Sequence, residues 1–194
     1  MRVISGSARS TSLLTPPDSR TRPTADRIKE DLFNIIARHV AGASFLDLYS
    51  GTGQIGIEAL SRGAERAVFV ESDKRMAELI GKNIAKCRLD AGSAVIRGDV
   101  RNALDKLCRT EQPFDIVYLD PPYEAGELGA ALEALTGGQA LVDGALVVAE
   151  QAAKAPPISG IPELQVYKIK EYSTTKLTFM KYTQNLCSIP LNAD

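Results

Sequence analysis

A single histidine, His39, no tryptophan and three widely spaced cysteines, Cys87, Cys108 and Cys187, narrow the chemistry open to this chain of 194 residues. One imidazole, on the polar side of a helical pattern, cannot build a Ser-His-Asp triad, a Cys-His pair or a histidine-based metal site. There is no C-x-x-C pair, so neither a zinc knuckle nor a redox motif is expected, and no metal. The odd cysteine count suits a reducing compartment. Charge of one sign is not in excess either: 23 Lys and Arg face 24 Asp and Glu, so any grip on nucleic acid has to be a local patch. Long apolar runs are missing too. The longest are strand-sized, such as Gly144 to Ala149, so no segment is expected to span or enter a membrane. The opening Met-Arg-Val-Ile-Ser-Gly lacks the apolar stretch of a signal peptide, which makes a cytoplasmic location the expectation.

What is present is globular: 44% apolar and 24% charged residues are enough to bury one core and speak against disorder. Residues 1–22 form a basic stretch with Arg2, Arg9, Arg20 and Arg22 against Asp18 alone, read as a short arm or hairpin. A single domain is expected over 23–194. Its first helix is read from Thr24, capped by that residue, with Ile28, Leu32, Ile35, Ile36 and Val40 at helical spacing and Gly42 as the stop. Strands are then expected at 45–49, 67–71, 94–97, 114–120 and 144–150, with helices after the first, second and fourth, at 54–61, 73–87 and 127–135. This β-α-β rhythm points to a parallel sheet with helices on both faces. Period-two segments at 164–170 and 176–182, separated by Ser173-Thr174-Thr175, read as a closing antiparallel hairpin.

Three acids fall at successive strand ends. Asp47 precedes the loop Gly51-Thr52-Gly53-Gln54-Ile55-Gly56, whose glycines allow a sharp turn and close approach of a ligand. The same G-x-G-x-x-G spacing occurs in dinucleotide oxidoreductases, which compete as a reading. An acid just ahead of the loop repels a pyrophosphate and suits an amino-bearing ligand instead. Glu71, twenty residues after Gly51, is placed to hold ribose hydroxyls, and Asp99 to accept from an adenine amino group. Each of the three could instead be a helix cap.

The fourth strand closes on Asp120-Pro121-Pro122-Tyr123. Two prolines fix φ twice and remove two donors, leaving a rigid acceptor wall. The Asp120 carboxylate and the Pro121 carbonyl can both accept from one planar amino group, while Tyr123 stacks on the ring that carries it. Such a site aligns an exocyclic amino nitrogen with a methyl donor by positioning and electrostatics, without imidazole or metal.

With these motifs the chain resembles the class I S-adenosylmethionine-dependent amino-methyltransferases. More narrowly, it resembles the bacterial 16S rRNA guanine-N2 methyltransferases of the RsmD type. The narrower likeness rests on the stretch from Arg22 to Asn34, on Gly56 to Ala64, on Val68 to Glu71 and on Tyr172 to Phe179. The resemblance implies a Rossmann-like fold, a seven-stranded, mostly parallel sheet with its last strand antiparallel. It implies a cofactor, S-adenosyl-L-methionine, leaving as S-adenosyl-L-homocysteine, held by Asp47, Gly51, Thr52, Gly53, Glu71, Asp99 and Asp120. Asp120, Pro121, Pro122 and Tyr123 would hold a flipped guanine, expected to be guanine 966. Arg2, Arg9, Arg20, Arg22 and Thr24 would meet the RNA. The partner implied is 16S rRNA in an assembled or partly assembled small subunit, with the enzyme acting as a monomer. The family's arm reads close to Gly-x-x-Arg-Gly-Arg; here it is Gly6-Ser7-Ala8-Arg9-Ser10-Thr11, and Ser173 follows Tyr172 where the family favours glycine. An adenine-N6 methyltransferase shares the chemistry of Asp120 to Tyr123, but the methyltransferase core leaves little of the chain for a DNA-recognition domain. A binding protein with a relic pocket would have no need of intact acids.

Overall fold

The computed structural model describes residues 1–16, 23–109, 112–122 and 126–184, with the side chains of 23–25 outside that description. Helix α1 (Pro23–Val40) leads into β1 (Ser44–Leu48), α2 (Gln54–Ser61), β2 (Arg66–Glu71), α3 (Lys74–Cys87), β3 (Ser93–Arg97), α4 (Val100–Leu107) and β4 (Phe114–Leu119). The chain continues through α5 (Glu127–Thr136), β5 (Leu141–Ala152), β6 (Leu164–Glu171) and β7 (Thr175–Tyr182). The strands form one seven-stranded sheet in the order β3-β2-β1-β4-β5-β7-β6. Pairs among β1 to β5 are parallel, while β7 runs antiparallel to both β5 and β6. The last strand is therefore the reversed one, as expected.

The sheet's two faces are separately covered, as a parallel sheet requires. One core joins Ile28, Leu32, Phe33 and Ile36 of α1, Ile55 and Ile57 of α2, and Ile80 and Ile84 of α3 to Phe45, Phe69, Ile116, Tyr118 and Val148 of the sheet. The other joins Val100, Leu104 and Leu107 of α4 and Leu132 and Leu135 of α5 to Leu46, Leu48, Val68, Val117, Leu119 and Val147. Alternate residues of β1 and β2, and of β4 beyond the irregularity at Phe114/Ile116, divide between the two cores, which is the period-two rule seen from both sides. Among the described residues no helix is long and apolar enough to cross a membrane.

Three expectations change. Helix α1 starts at Pro23, so Thr24 lies inside its first turn; proline suits that first position because its missing N–H would have no partner there. Helix α4 was not anticipated between 97 and 114, yet Val100, Ala103, Leu104 and Leu107 are buried at helical spacing behind an Asp99 cap. Strand β5 extends to Leu141–Ala152.

The basic arm is a hairpin, bridged at Arg2 and Ser12, but it is not an extended appendage. Val3, Ala8 and Leu13 belong to the first core. Its amides are held by side chains of α2 and α3: Ile4 N and Ser5 N donate to the Glu58 carboxylate at 2.7 and 3.0 Å, and Ala8 N to Ser61 Oγ at 2.9 Å. Leu14 N donates to Asn83 Oδ1 at 2.7 Å. Lys29 Nζ donates to the Arg2 carbonyl and lies 3.8 Å from Glu58, and both side chains are buried.

Candidate active site

The carboxyl edge of the sheet carries four acids on one face. Asp47 is in register with Phe69 on one side and Tyr118 on the other, and Tyr118 with Val148. Two residues beyond Phe69, Tyr118 and Val148 come Glu71, Asp120 and Glu150, which by strand alternation share the α1–α3 face with Asp47. The sequence supplied three of these acids. Glu150 ends the fifth expected strand in the same way but was not singled out, because no motif follows it; its place at that strand's end was the available signal.

Each acid is fixed by the chain. Asp47 is buried, and its Oδ2 accepts from Gly56 N at 2.9 Å. Burial, followed by the nearby Asp120 and Glu71 charges, pushes its carboxyl up to about 8, although the Gly56 hydrogen bond opposes the rise. Asp47 therefore acts first by tying the glycine loop to β1. Gly56 itself admits no side chain: a Cβ there would lie 2.3 Å from the Phe69 ring. Glu71 accepts from Gly51 N and Asp73 N, both at 2.8 Å. Gly51 and Gly53 have φ of 55° and 75°, a region that favours glycine. At Gly51 an added Cβ would meet only open space, so the loop offers bare backbone beside the Glu71 carboxylate. Gln54 begins α2 there, and its Oε1 is buried without a partner among the described residues. A buried acceptor without a partner, directly after the second glycine of the loop, fits a ligand that brings a donor. Gln54 was not singled out from the sequence; its place directly after the second glycine was the available signal.

Two further expected cofactor residues also make contacts within the fold. The Thr52 hydroxyl contacts Met1 Sδ at 3.2 Å and its carbonyl accepts from Asn83, so this residue holds the arm. Asp99 caps α4: its Oδ1 accepts from Arg101 N and Asn102 N at 3.0 and 3.2 Å.

Asp120 follows β4 at the sheet edge. Its carboxyl has an open side to solvent, yet surrounding protein and then the Glu150 charge push it up to about 7. Glu150 is held by the Tyr118 hydroxyl and by Thr175 Oγ1 at 3.0 Å. Beyond them, a cleft of about 450 Å³ is lined by Pro121, Pro122, Leu128, Glu150, Pro157 and Ile161, among others. Its mainly apolar walls and few polar groups suit a planar base. Tyr123, Arg20 and Arg22 lie outside the described residues, as does the Thr24 side chain. Arg2 and Arg9 are exposed on the docked hairpin. Among the described residues no group of three or more His, Cys, Asp and Glu side chains could hold a metal ion.

A reversed last strand, a glycine loop after β1 and an Asp-Pro-Pro turn after β4 make this a Rossmann-like class I methyltransferase. Comparison with known proteins narrows the class. Residues 1–181 match the model of the family described as Conserved hypothetical protein 95, and the chain belongs to that family, which is the RsmD family. The ribosomal RNA small subunit methyltransferase D of Escherichia coli (strain K12) is 37% identical over 150 residues, 77% of this chain and 74% of the relative. The protein of the same name from Haemophilus influenzae is 33% identical over 184 residues, 94% of this chain and 93% of its own. Among solved structures, the candidate methyltransferase yhhF of Escherichia coli superposes with a TM-score of 0.83 at 28% identity, covering 94% of this chain and 98% of that one.

Proposed function

We propose that this protein is an rRNA methyltransferase. It transfers a methyl group from S-adenosyl-L-methionine to the exocyclic N2 of one guanine of 16S rRNA, guanine 966, within an assembled or partly assembled small subunit. The observation that carries the reading is Asp120-Pro121-Pro122 standing at the sheet edge between the acids around the glycine loop and a base-sized cleft. The relatives named for small-subunit rRNA support the substrate class.

When bound, the cofactor supplies a methyl group on a sulfonium, which is already a good leaving group. The Glu71 carboxylate would take the ribose hydroxyls, while the orphaned Gln54 Oε1 would accept from a cationic amino-acid end, whose charge near Asp47 would draw that raised carboxyl back towards its ionised form. The Asp120 carboxylate and the Pro121 carbonyl would accept both hydrogens of the guanine amino group, turning the nitrogen lone pair out of the ring. Methylated nitrogen must release one of these hydrogens as a proton, and a carboxyl pushed up to about 7 can receive it. Arg2 and Arg9 would meet phosphates.

The test is transfer from labelled cofactor to small-subunit particles that lack the modification, followed by digestion to nucleosides. The expected product is N2-methylguanosine. N6-methyladenosine as the product, or no transfer, would overturn the reading.

A further inference from the structure

An amino-accepting turn does not by itself choose a base, because adenine, cytosine and guanine all offer exocyclic amino hydrogens. Guanine differs at the neighbouring ring position: its N1 carries a hydrogen and donates, whereas adenine N1 only accepts. A site specific for guanine therefore needs a second acceptor beside the one that takes the amino group.

We infer that Glu150 is that acceptor, and that its carboxylate reads the guanine N1–H while Asp120 holds the amino group. The inference rests on the guanine-N2 reading above. Leu119 and Ala149 are paired across β4 and β5, so Asp120 and Glu150 are the next residues along two adjacent strands, on the same face. They are close enough for the Glu150 charge to perturb the Asp120 carboxyl. Glu150 also lines the cleft beside Pro121 and Pro122.

Its carboxylate is oriented before any base arrives. Oε2 accepts from the Tyr118 hydroxyl and Oε1 from Thr175 Oγ1, and each carboxylate oxygen has a further lone pair. The Tyr118 phenol is held well above its ordinary range by burial and then by the Glu150 and Asp120 charges, so it remains a donor. Thr175 is itself tied back to the Gln151 carbonyl at 2.7 Å. A side chain braced from β4 and β7, one strand over from the amino-holding aspartate, suits recognition of the adjacent edge of one ring.

The test compares kcat/KM on small-subunit particles reconstituted with guanine or with 2-aminopurine at the target position. 2-Aminopurine keeps the amino group but lacks the N1 hydrogen. The wild-type enzyme should prefer guanine by about 10- to 100-fold, the scale of one hydrogen bond to a charged group. Glu150→Ala should lose about that factor on guanine and little on 2-aminopurine, so that the preference collapses. Glu150→Gln retains one acceptor oxygen and should be intermediate. Homocysteine-product binding by calorimetry checks that both variants are folded. Equal wild-type rates on the two bases would overturn the inference without any variant, as would a Glu150→Ala enzyme that keeps the full preference. Methylation of a base other than guanine by the wild type would mark failure of the underlying guanine reading instead.

Discussion

Asp120 has two demands on one carboxyl, and its environment sets them against each other. To accept from an amino group it should be ionised, yet burial and then the Glu150 charge push it up to about 7. Near neutrality only part of the enzyme then carries the accepting form. The methylation rate is expected to rise through a midpoint near pH 7 and to level off above it. Asp47 on β1 and Glu150 on β5, the two strands that flank β4, face this region with Tyr118, and of these Glu150 supplies the charge that raises the Asp120 carboxyl. Glu150→Gln should therefore move the midpoint to lower pH, whereas Asp120→Asn should flatten the profile at a reduced rate. Asp120→Ala should cost two or more decades in single-turnover rate, on the order of lost positioning, with cofactor affinity little changed. A consequence for stability follows with a definite sign. A carboxyl raised in the folded state binds its proton there while the unfolded chain has released it, so the group's contribution to stability falls as pH rises from about 4 to about 7. Asp120→Asn should thus raise the melting temperature at pH 8 and not below pH 4. A rate independent of pH between 6 and 8 in the wild type would remove Asp120 as the titrating acceptor.

At the scale of elements, Asp99 has a structural duty that any role toward the ligand would have to share. Its Oδ1 caps α4 through two backbone amides, so Asp99→Ala should cost about 1 kcal/mol in denaturant unfolding. Asp99→Ser keeps a capping oxygen and should restore most of that stability. If Asp99 also accepts from the cofactor's adenine, both variants will bind cofactor more weakly; if only alanine does, the residue is a cap.

The arm poses a related question with a larger energy. Glu58 is fully buried and gathers Ile4 N, Ser5 N and Arg62 Nε, with Lys29 nearby. Glu58→Ala strands a buried lysine and is expected to cost about 3–5 kcal/mol, read by denaturation. Deleting the arm would remove core residues Val3, Ala8 and Leu13 along with any RNA contacts. Charge reversal of the exposed Arg2 and Arg9 is the sharper probe: methylation of particles should fall and its dependence on salt should weaken, while the melting temperature holds. An unchanged rate would make these arginines ordinary surface.

These elements also mark what the sequence could disclose. Strand alternation and helical spacing made the sheet, its order of events and the closing hairpin legible, because Phe45, Phe69 and Val117 answer only to burial. That Asp47, Glu71 and Asp120 meet at one sheet edge was legible because acids that end apolar strands of a parallel sheet fall at its carboxyl edge, although Asp99, read in the same way, caps α4. The docking of the arm was not, since it depends on Glu58, Ser61 and Asn83, polar residues at which no local pattern announces a distant amide. Glu150 stands at the end of an expected strand like the other acids, but its partners, Tyr118 on β4 and Thr175 on β7, are distant in sequence and no local pattern announces them.

For the whole molecule, the topology divides the labour at β1 and β4. On one side β1 and β2 end at the glycine loop and Glu71; on the other β4 and β5 end at Asp120, Glu150 and the cleft. Both halves rest on the same two cores, so a ligand held by the first should stabilise the entire fold. Bound at one hundred times its dissociation constant, a ligand adds about 2.7 kcal/mol, which for a chain of this size raises the melting temperature by roughly 5–10 °C. S-Adenosyl-L-homocysteine is expected to produce that shift. NAD at the same concentration is not, because the Glu71 carboxylate sits against the Gly51 amide where its pyrophosphate would have to bind. Glu71→Gln separates ligand from scaffold: its remaining oxygen can still accept from the Gly51 or Asp73 amide, so the unliganded melting temperature should drop little. The lost charge should weaken cofactor binding by roughly 1–3 kcal/mol, removing much of the ligand-induced rise at a fixed concentration. Thermal denaturation of the two proteins with each ligand decides the matter. A rise with NAD and none with S-adenosyl-L-homocysteine would replace the methyltransferase cofactor by a dinucleotide. An equal rise in wild type and Glu71→Gln would leave Glu71 as a brace for the loop alone.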